Sequence, residues 1–320
     1  MRSKRSRRNR LQAMPETELL APRDLGELAA ALRRMTSASR IVAGGSDLML
    51  GLHSGGFHPD LLLDLSRLRE LAFVRRVDGT VRVGALSTCA QLHRDPVLAG
   101  HARCLAQAAS RVGSVQIRNV ATLGGNVANA SPCADLVTAL VALDASATVI
   151  DALGRTSERP IGDLFAATGG SALRPGEAIV EFSFADAHRH RRSGFAKLGV
   201  RSSVAVSRLN AALIVDLEPD EATIGSARLA VGSIASAAFV AGEVAAALRG
   251  ARIGAACPQE FLHRCIRLVD DRIPDRPSWP YKRLAVRGLA EDLWSAIDAG
   301  ADVAHRRHSE QGRGTRDTSR

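Results

Sequence analysis

The sequence predicts an α+β protein of two domains, and three features carry that expectation. Residues 15–187 alternate short apolar strands with capped helices. Residues 190–298 read instead as long strands followed by three helices. Between them, residues 186–193 (DAHRHRRS) form a polar break where the domain boundary is expected. At 320 residues and 46% hydrophobic, the chain is long enough for two cores, built mainly from Ala, Val, Leu and Ile because only 3% is aromatic.

Asp24-Leu25-Gly26-Glu27 has the spacing of a capping box, and Leu25, Leu28 and Leu32 follow on one helical face. Arg40 to Ala43 reads as a strand stopped by Gly44-Gly45, after which Ser46 and Asp47 open a helical segment towards Leu52. Leu61 to Leu65 and Val81 to Gly84 are further strands. Thr88-Cys89-Ala90-Gln91 repeats the capping-box spacing, ahead of one helical stretch from Pro96 to Arg111. Gly113 to Pro132 shows no clear periodicity, and a helix is expected from Ala134 to Leu143. Strands follow at Ala147 to Asp151 and Ala178 to Phe184, with a turn at Leu153-Gly154. The second domain opens with two long alternating strands, Val204 to Leu217 and Ala222 to Ile234, joined by an acidic turn at Glu218-Pro219-Asp220-Glu221. Helices near 238–249, 258–271 and 279–298 complete it. No internal repeat is visible at periods of about 20–50 residues.

The net charge of +10 is concentrated at the two ends. Residues 1–10 hold six basic residues and no acid, and residues 301–320 hold five Arg against three acids, so the remainder carries only +2. Segments 1–14 and 301–320 lack the apolar content to fold and are expected to be disordered. With no aromatic interleaving and no recognised reader motif, these tails do not make a nucleic-acid-binding protein. Arg7-Arg8 is a twin-arginine pair without a following apolar stretch, so export is not expected. No apolar run approaches the ~20 residues of a membrane span. The five cysteines, Cys89, Cys104, Cys133, Cys257 and Cys265, are odd in number and scattered, which fits a cytoplasmic protein and no iron–sulfur cluster on this chain.

Two Gly-Gly segments stand out: Ile41-Val42-Ala43-Gly44-Gly45-Ser46-Asp47-Leu48 and Thr122-Leu123-Gly124-Gly125-Asn126. A strand, paired glycines and a helix start expose backbone N–H groups without Cβ atoms in the way, and such a turn suits a diphosphate. Ser46 and Thr122 add hydroxyls. Taken singly, each segment also reads as a plain tight turn, Asp47 as a helix-start residue, Asn126 as a turn stabiliser and Asp135 as an N-terminal helix charge. Neither segment is G-x-G-x-x-G or a Walker loop, so a nicotinamide Rossmann site finds no support.

The second segment lies inside residues 117–135, IRNVATLGGNVANASPCAD, which closely resembles the flavin-binding signature of molybdopterin dehydrogenase FAD subunits. Ala43-Gly44-Gly45-Ser46-Asp47-Leu48 resembles that family's AGGTDL element. Gly84-Ala85-Leu86-Ser87-Thr88 is similar to its GALTT element, and Phe195-Ala196-Lys197-Leu198-Gly199-Val200-Arg201 to its YxKxGxR element. Order and spacing agree from about residue 15 to residue 298.

This resemblance to the xanthine dehydrogenase and carbon monoxide dehydrogenase-like molybdenum hydroxylases implies a vanillyl-alcohol-oxidase (PCMH)-type FAD domain of two α/β subdomains, over 15–187. It implies a C-terminal domain of antiparallel sheet and helices, like that of the CO dehydrogenase flavoprotein, over 190–298. The FAD phosphate loops fall on Ile41 to Leu48 and Thr122 to Asn126. Asp135 falls near the ribityl chain and flavin, Ile179 at the ring edge, and Lys197 beside the isoalloxazine as a cation for the reduced ring. No residue is implied as nucleophile, acid or base, and no metal ligand: His188 and His190 lie in a charged linker, and Cys133 is assigned packing. Partners implied are a large molybdopterin-binding subunit and a small [2Fe–2S] subunit, in a heterohexamer of two heterotrimers. Electrons would pass from the [2Fe–2S] clusters through FAD to an acceptor such as NAD. The competing reading is a free-standing FAD-dependent oxidoreductase of the same fold. Three departures are visible: no inserted iron–sulfur loop between Asp135 and Gly154, no proline in Gly232 to Ala237, and Phe195 in place of the frequent tyrosine.

The resemblance starts near Pro15, so residues 1–13 read either as a disordered extension or as sequence upstream of a start at Met14. A chain beginning at Met14 is expected to keep its FAD content and to melt within about 4 °C of the full chain. A larger drop, measured by calorimetry, would make the segment structural.

Overall fold

The computed structural model describes residues 17–186, 190–199 and 206–311. The 1–14 extension, His188, the end of the 195–201 motif and residues 312–320 lie outside them.

The first lobe is small: β1 (Glu18–Leu20), α1 (Leu25–Leu32), β2 (Arg40–Val42), α2 (Leu48–His53) and β3 (Leu61–Asp64). Its three strands are parallel in the order β1-β3-β2. Asp24 caps α1 by accepting from the Glu27 N–H, and the Glu27 carboxylate accepts from the Arg23 N–H. Leu28 and Leu32 of α1 then pack on Leu63.

The second lobe holds β4 (Val74–Val77), β5 (Thr80–Gly84), α3 (Cys89–Arg94), α4 (Pro96–His101), α5 (Arg103–Arg111), α6 (Val115–Val120), α7 (Leu123–Ala128), α8 (Asp135–Ala142), β6 (Ser146–Ile150), β7 (Thr156–Pro160) and β8 (Ala178–Ala185). Its five-stranded sheet is antiparallel, ordered β4-β5-β8-β6-β7. Thr88 and Gln91 form the expected capping box on α3.

The third unit is a four-stranded antiparallel sheet of β9 (Arg191–Gly199), β10 (Ser207–Leu217), β11 (Ile224–Gly232) and β12 (Phe239–Val240), followed by α9 (Gly242–Ala245), α10 (Gln259–Arg272) and α11 (Trp279–Gln311). Two α/β lobes and a sheet-and-helix domain are the α+β architecture that the sequence predicted.

Several elements differ from the sequence reading. The stretch 96–111 is two helices, because Ala102 leaves helical geometry at φ −150° and ψ 52°. The break turns α5 onto β9, where the Ser193 hydroxyl accepts the Cys104 N–H and the Gln107 side chain accepts the Phe195 N–H. The aperiodic stretch 113–132 contains α6 and α7, six residues each and too short to show a hydrophobic period. Strands β7 and β9 were not anticipated as elements. The last helix runs to Gln311, into the stretch read as a disordered tail; residues 301–311 contain no proline or glycine to stop it.

The long strands were read from the sequence as alternating, and their faces alternate between two cores. Phe195, Ala212, Ile214 and Ala230 join the core beneath α5 and α8, while Ala196, Ala211, Leu213, Leu229 and Val231 face α10 and α11. The sheet is thus covered on both faces, one of them by the second lobe. Among the described residues, no helix is long and apolar enough to cross a membrane.

One ion cluster, built on a buried carboxylate with its arginines reaching solvent, closes the edge of the second lobe. Glu177, 3% exposed at its side chain, accepts from Arg159 at 2.6 and 3.1 Å and from Arg174 at 2.6 and 3.0 Å. The Arg159 guanidinium, with Arg174 behind it, holds the Glu177 carboxyl at about 2 in spite of burial. A depressed folded-state pKa contributes stability above the ordinary value near 4.5, lost as pH falls from there towards 2. Glu177→Gln is therefore expected to cost on the order of 3 kcal/mol at pH 7, with the gap to wild type closing below pH ~4.5. Denaturant unfolding at pH 7 and pH 3 checks this; a gap of equal size at both values would contradict it.

Candidate functional site

The two Gly-Gly segments meet. A Cβ on Gly44 would lie 1.9 Å from the Val120 carbonyl oxygen, so only glycine lets the turn after β2 approach the end of α6. A Cβ on Gly125 would stand 3.9 Å from that of Ala43. Gly45 sits at φ +68°, in the left-handed region that glycine occupies without strain.

The two segments then behave differently. Among the described residues, no N–H from Gly44 to Leu48 donates to a protein acceptor, and the Asp47 side chain makes no cap bond to α2. The first segment is a half-buried turn with successive open donors at a helix start. In the second, the donors are already used. Leu123 N–H donates to Ser87 O at 3.0 Å, Gly124 N–H to Ala85 O at 2.8 Å, and Gly125 N–H to the Thr122 hydroxyl at 3.1 Å. A Cβ on Gly124 would lie 2.8 Å from that of Ala85, so this glycine serves packing. The expectation of free donors at Thr122 to Asn126 is corrected accordingly: Thr122 is the N-cap of α7. What the second segment offers is an acceptor, since the buried Asn126 Oδ1 has no hydrogen-bond partner among the described residues.

Asp135 and Lys197, brought together from two domains, form an ion pair of 2.5 Å with side chains 5% and 9% exposed. Asp135 Oδ1 also accepts from the Ser207 hydroxyl at 2.5 Å and from Asn210 Nδ2 at 2.8 Å. Lys197 Nζ donates in addition to Arg111 O at 3.0 Å. Lys197 is thus a cation whose charge is compensated by Asp135. Ile179 is buried opposite Val149, in the core that also holds Leu123 and Val127 of α7.

Sequence reasoning missed Asn210, Ser207 and Thr138. The available signal was a polar residue in the apolar run of β10, a position that burial makes costly unless every polar atom is matched. Burial pushes the thiols of Cys89, Cys104 and Cys265 up to about 12, so they stay protonated. Among the described residues, no group of three His, Cys, Asp or Glu side chains is placed to hold a metal ion.

A turn with open donors, an orphaned acceptor beside it and a two-lobed scaffold define a protein built to bind a nucleotide-like cofactor. Residues 15–184 match the family model of the FAD binding domain in molybdopterin dehydrogenase, and residues 195–297 match the CO dehydrogenase flavoprotein C-terminal domain. The chain belongs to the FAD-binding subunits of the xanthine dehydrogenase and CO dehydrogenase-like molybdenum hydroxylases. It is 31% identical over 292 residues to the nicotinate dehydrogenase FAD-subunit of Eubacterium barkeri, covering 89% of this chain and 97% of that protein. The glyceraldehyde dehydrogenase medium chain of Sulfolobus acidocaldarius is 26% identical over 261 residues, 81% of this chain and 90% of that one. In fold, the chain resembles carbon monoxide dehydrogenase from Hydrogenophaga pseudoflava, with a TM-score of 0.78 at 23% identity over 89% of this chain and 98% of that one.

Gly44→Ala is expected to separate the two turns and weaken FAD binding by about 2 kcal/mol or more, since its Cβ meets backbone. Gly125→Ala meets only the Thr122 hydroxyl, at 2.9 Å, and should cost less. Equilibrium FAD titration of both folded variants decides the order; equal affinities would show that Gly44 is not constrained by the cofactor site.

Proposed function

We propose that this chain is the FAD-binding electron-transfer subunit of a molybdopterin-dependent hydroxylase. The observation that carries the reading is the open row of N–H groups from Gly44 to Leu48, set against the second glycine pair. A diphosphate supplies acceptors only, and it fits the segment whose donors are unused. Asn126 Oδ1 needs a donor, which suits a ribityl hydroxyl or a ring N–H better than a phosphate. In this reading Ile41, Val42 and Ala43 deliver the turn, and Ser46, Asp47 and Leu48 continue it into α2. Thr122, Leu123, Gly124 and Gly125 build the wall against which Asn126 is aimed, with Ile179 in the apolar core behind it. Asp135 and Lys197 hold the segment that follows.

Bound FAD supplies a carrier that accepts electrons from one centre and passes them to another. The residues themselves bind, orient and exclude water. We infer that electrons arrive from [2Fe–2S] clusters of a small partner subunit, that substrate is hydroxylated at a molybdopterin cofactor on a large one, and that the acceptor is NAD or a similar molecule. Two heterotrimers would pair as a heterohexamer. The names FAD-subunit and medium chain carried by the relatives support a place in a multi-subunit assembly. Free, largely buried cysteines support a reducing, cytoplasmic location.

The chain, reconstituted if necessary, is expected to release FAD and no FMN on denaturation, and to hold neither iron nor molybdenum when isolated. FMN in the extract, or no flavin after reconstitution, would overturn the diphosphate site. Turnover of a small substrate by the chain with FAD alone would favour a free-standing flavin oxidoreductase instead.

A further inference from the structure

The segment 131–135 (SPCAD) links α7, the helix that carries Asn126, to the start of α8, and its own hydrogen bonds are few. Its own bonds are a local turn, with the Cys133 N–H on the Ser131 hydroxyl and the Ala134 N–H on Ser131 O. It follows Ala130, a residue with a Cβ at φ +50°. Ala134 O also accepts from the Thr138 N–H and hydroxyl of α8, and the other hydrogen-bonding restraints come from the second domain. Ser233 N–H donates to Pro132 O at 3.0 Å, and Asn210 Nδ2 donates to Cys133 O at 3.2 Å. Asn210, Ser207 and Lys197 together saturate the Asp135 carboxylate.

These second-domain groups are themselves fixed. Asn210 is 0% exposed, and its Oδ1 accepts from the Thr138 hydroxyl at 2.9 Å. A Cβ on Gly232 would lie 2.2 Å from that Oδ1, so the neighbouring strand is cut back to admit it. Ser233 is held at φ +70°, and its carbonyl accepts from the buried Lys282 Nζ of α11 at 2.7 Å. Adhesion between the domains does not need this cluster, because Phe195, Ala212, Ile214 and Ala230 already bury the shared face. Buried polar groups matched this completely fix one arrangement, where an apolar seam would tolerate several.

We propose that the C-terminal domain is a positioning element for the cofactor site: Asn210, Ser207, Ser233 and Lys282 set the shape of segment 131–135 without touching the cofactor. This rests on the FAD reading above. It makes the two domains one binding unit, so that flavin affinity and environment depend on residues of a domain outside the glycine turns.

The test uses the full chain and the variants Ser207→Ala, Lys282→Met and Asn210→Asp. The first two remove one hydrogen bond each; the third turns a donor into a charge facing Asp135. Arg228→Ala is the control, since Arg228 bridges the same domains at Val141 O and Asp144, away from the segment. In the FAD-free protein, amide hydrogen exchange at 130–135 is expected to rise at least tenfold in Ser207→Ala and Lys282→Met, but not in Arg228→Ala. FAD titration should show at least a tenfold weaker Kd for the first two, with altered circular dichroism of the bound flavin. Arg228→Ala should stay within twofold of wild type with an unchanged spectrum. Wild-type exchange, Kd and spectrum in folded Ser207→Ala and Lys282→Met would overturn the proposal. So would an equal loss in Arg228→Ala, which would reduce the cluster to general domain adhesion. Failure of the wild type to bind FAD would instead overturn the FAD reading, while the exchange measurement would still decide whether the segment is held from the second domain.

Discussion

A buried carboxylate organises the junction of this molecule. Asp135 is 5% exposed and begins α8, where the helix dipole favours its charge but does not replace lost hydration. Compensation comes from Lys197, Ser207 and Asn210, and therefore from β9 and β10. Satisfying one side chain thereby fixes how the second sheet lies on the first domain. The same constraint explains Gly232, whose missing side chain makes room for Asn210, and the polar residue in the middle of β10. Losing one partner of such a pair typically costs 3–5 kcal/mol, because the other charge stays buried.

Once the sheet is seated, its two faces acquire different owners. One completes the core under α5 and α8, and the other closes a separate core with α10 and α11. A strand buried on both faces loses the apolar–polar alternation of a half-exposed strand, and β10 reads as a nearly unbroken apolar run from Ala211 to Val215. The helices of the first domain are correspondingly arranged to reach it. The break at Ala102 exists where α5 must turn to meet Ser193 and Phe195.

The two glycine pairs look equivalent as sequence and are opposite in physics. At Gly44 and Gly45 the absence of Cβ atoms permits a close approach to Val120 and a positive φ, and the following N–H groups are left open. At Gly124 and Gly125 it permits packing on Ala85 and a cap from Thr122, and the N–H groups are spent. A cofactor with an acceptor-rich end and a donor-bearing end matches that asymmetry.

Local chemistry made much of this legible. The caps at Asp24 and Thr88, the strand-to-helix turn at Gly44-Gly45 and the helices at Ala134, Pro258 and Trp279 are written in short-range patterns of capping residues and apolar spacing, and the family motifs name the cofactor. Helices α6 and α7 escaped because six residues span less than two turns and show no period. Strand β9 was hidden in a charged linker, where Arg191 finds its partner across the sheet at Asp216. By itself, then, the sequence determined the α+β class, the family with its FAD cofactor, and the order of an FAD binding domain and a flavoprotein C-terminal domain. Only the tertiary structure decided which donors remain free, that Lys197 is neutralised by Asp135, and that the second domain holds segment 131–135. The last two depend on partners 60 or more residues away, as with Asp135 and Lys197, and the first on Ser87 and Ala85, which precede α7 by several elements; such pairings leave no periodic or local trace in a single chain.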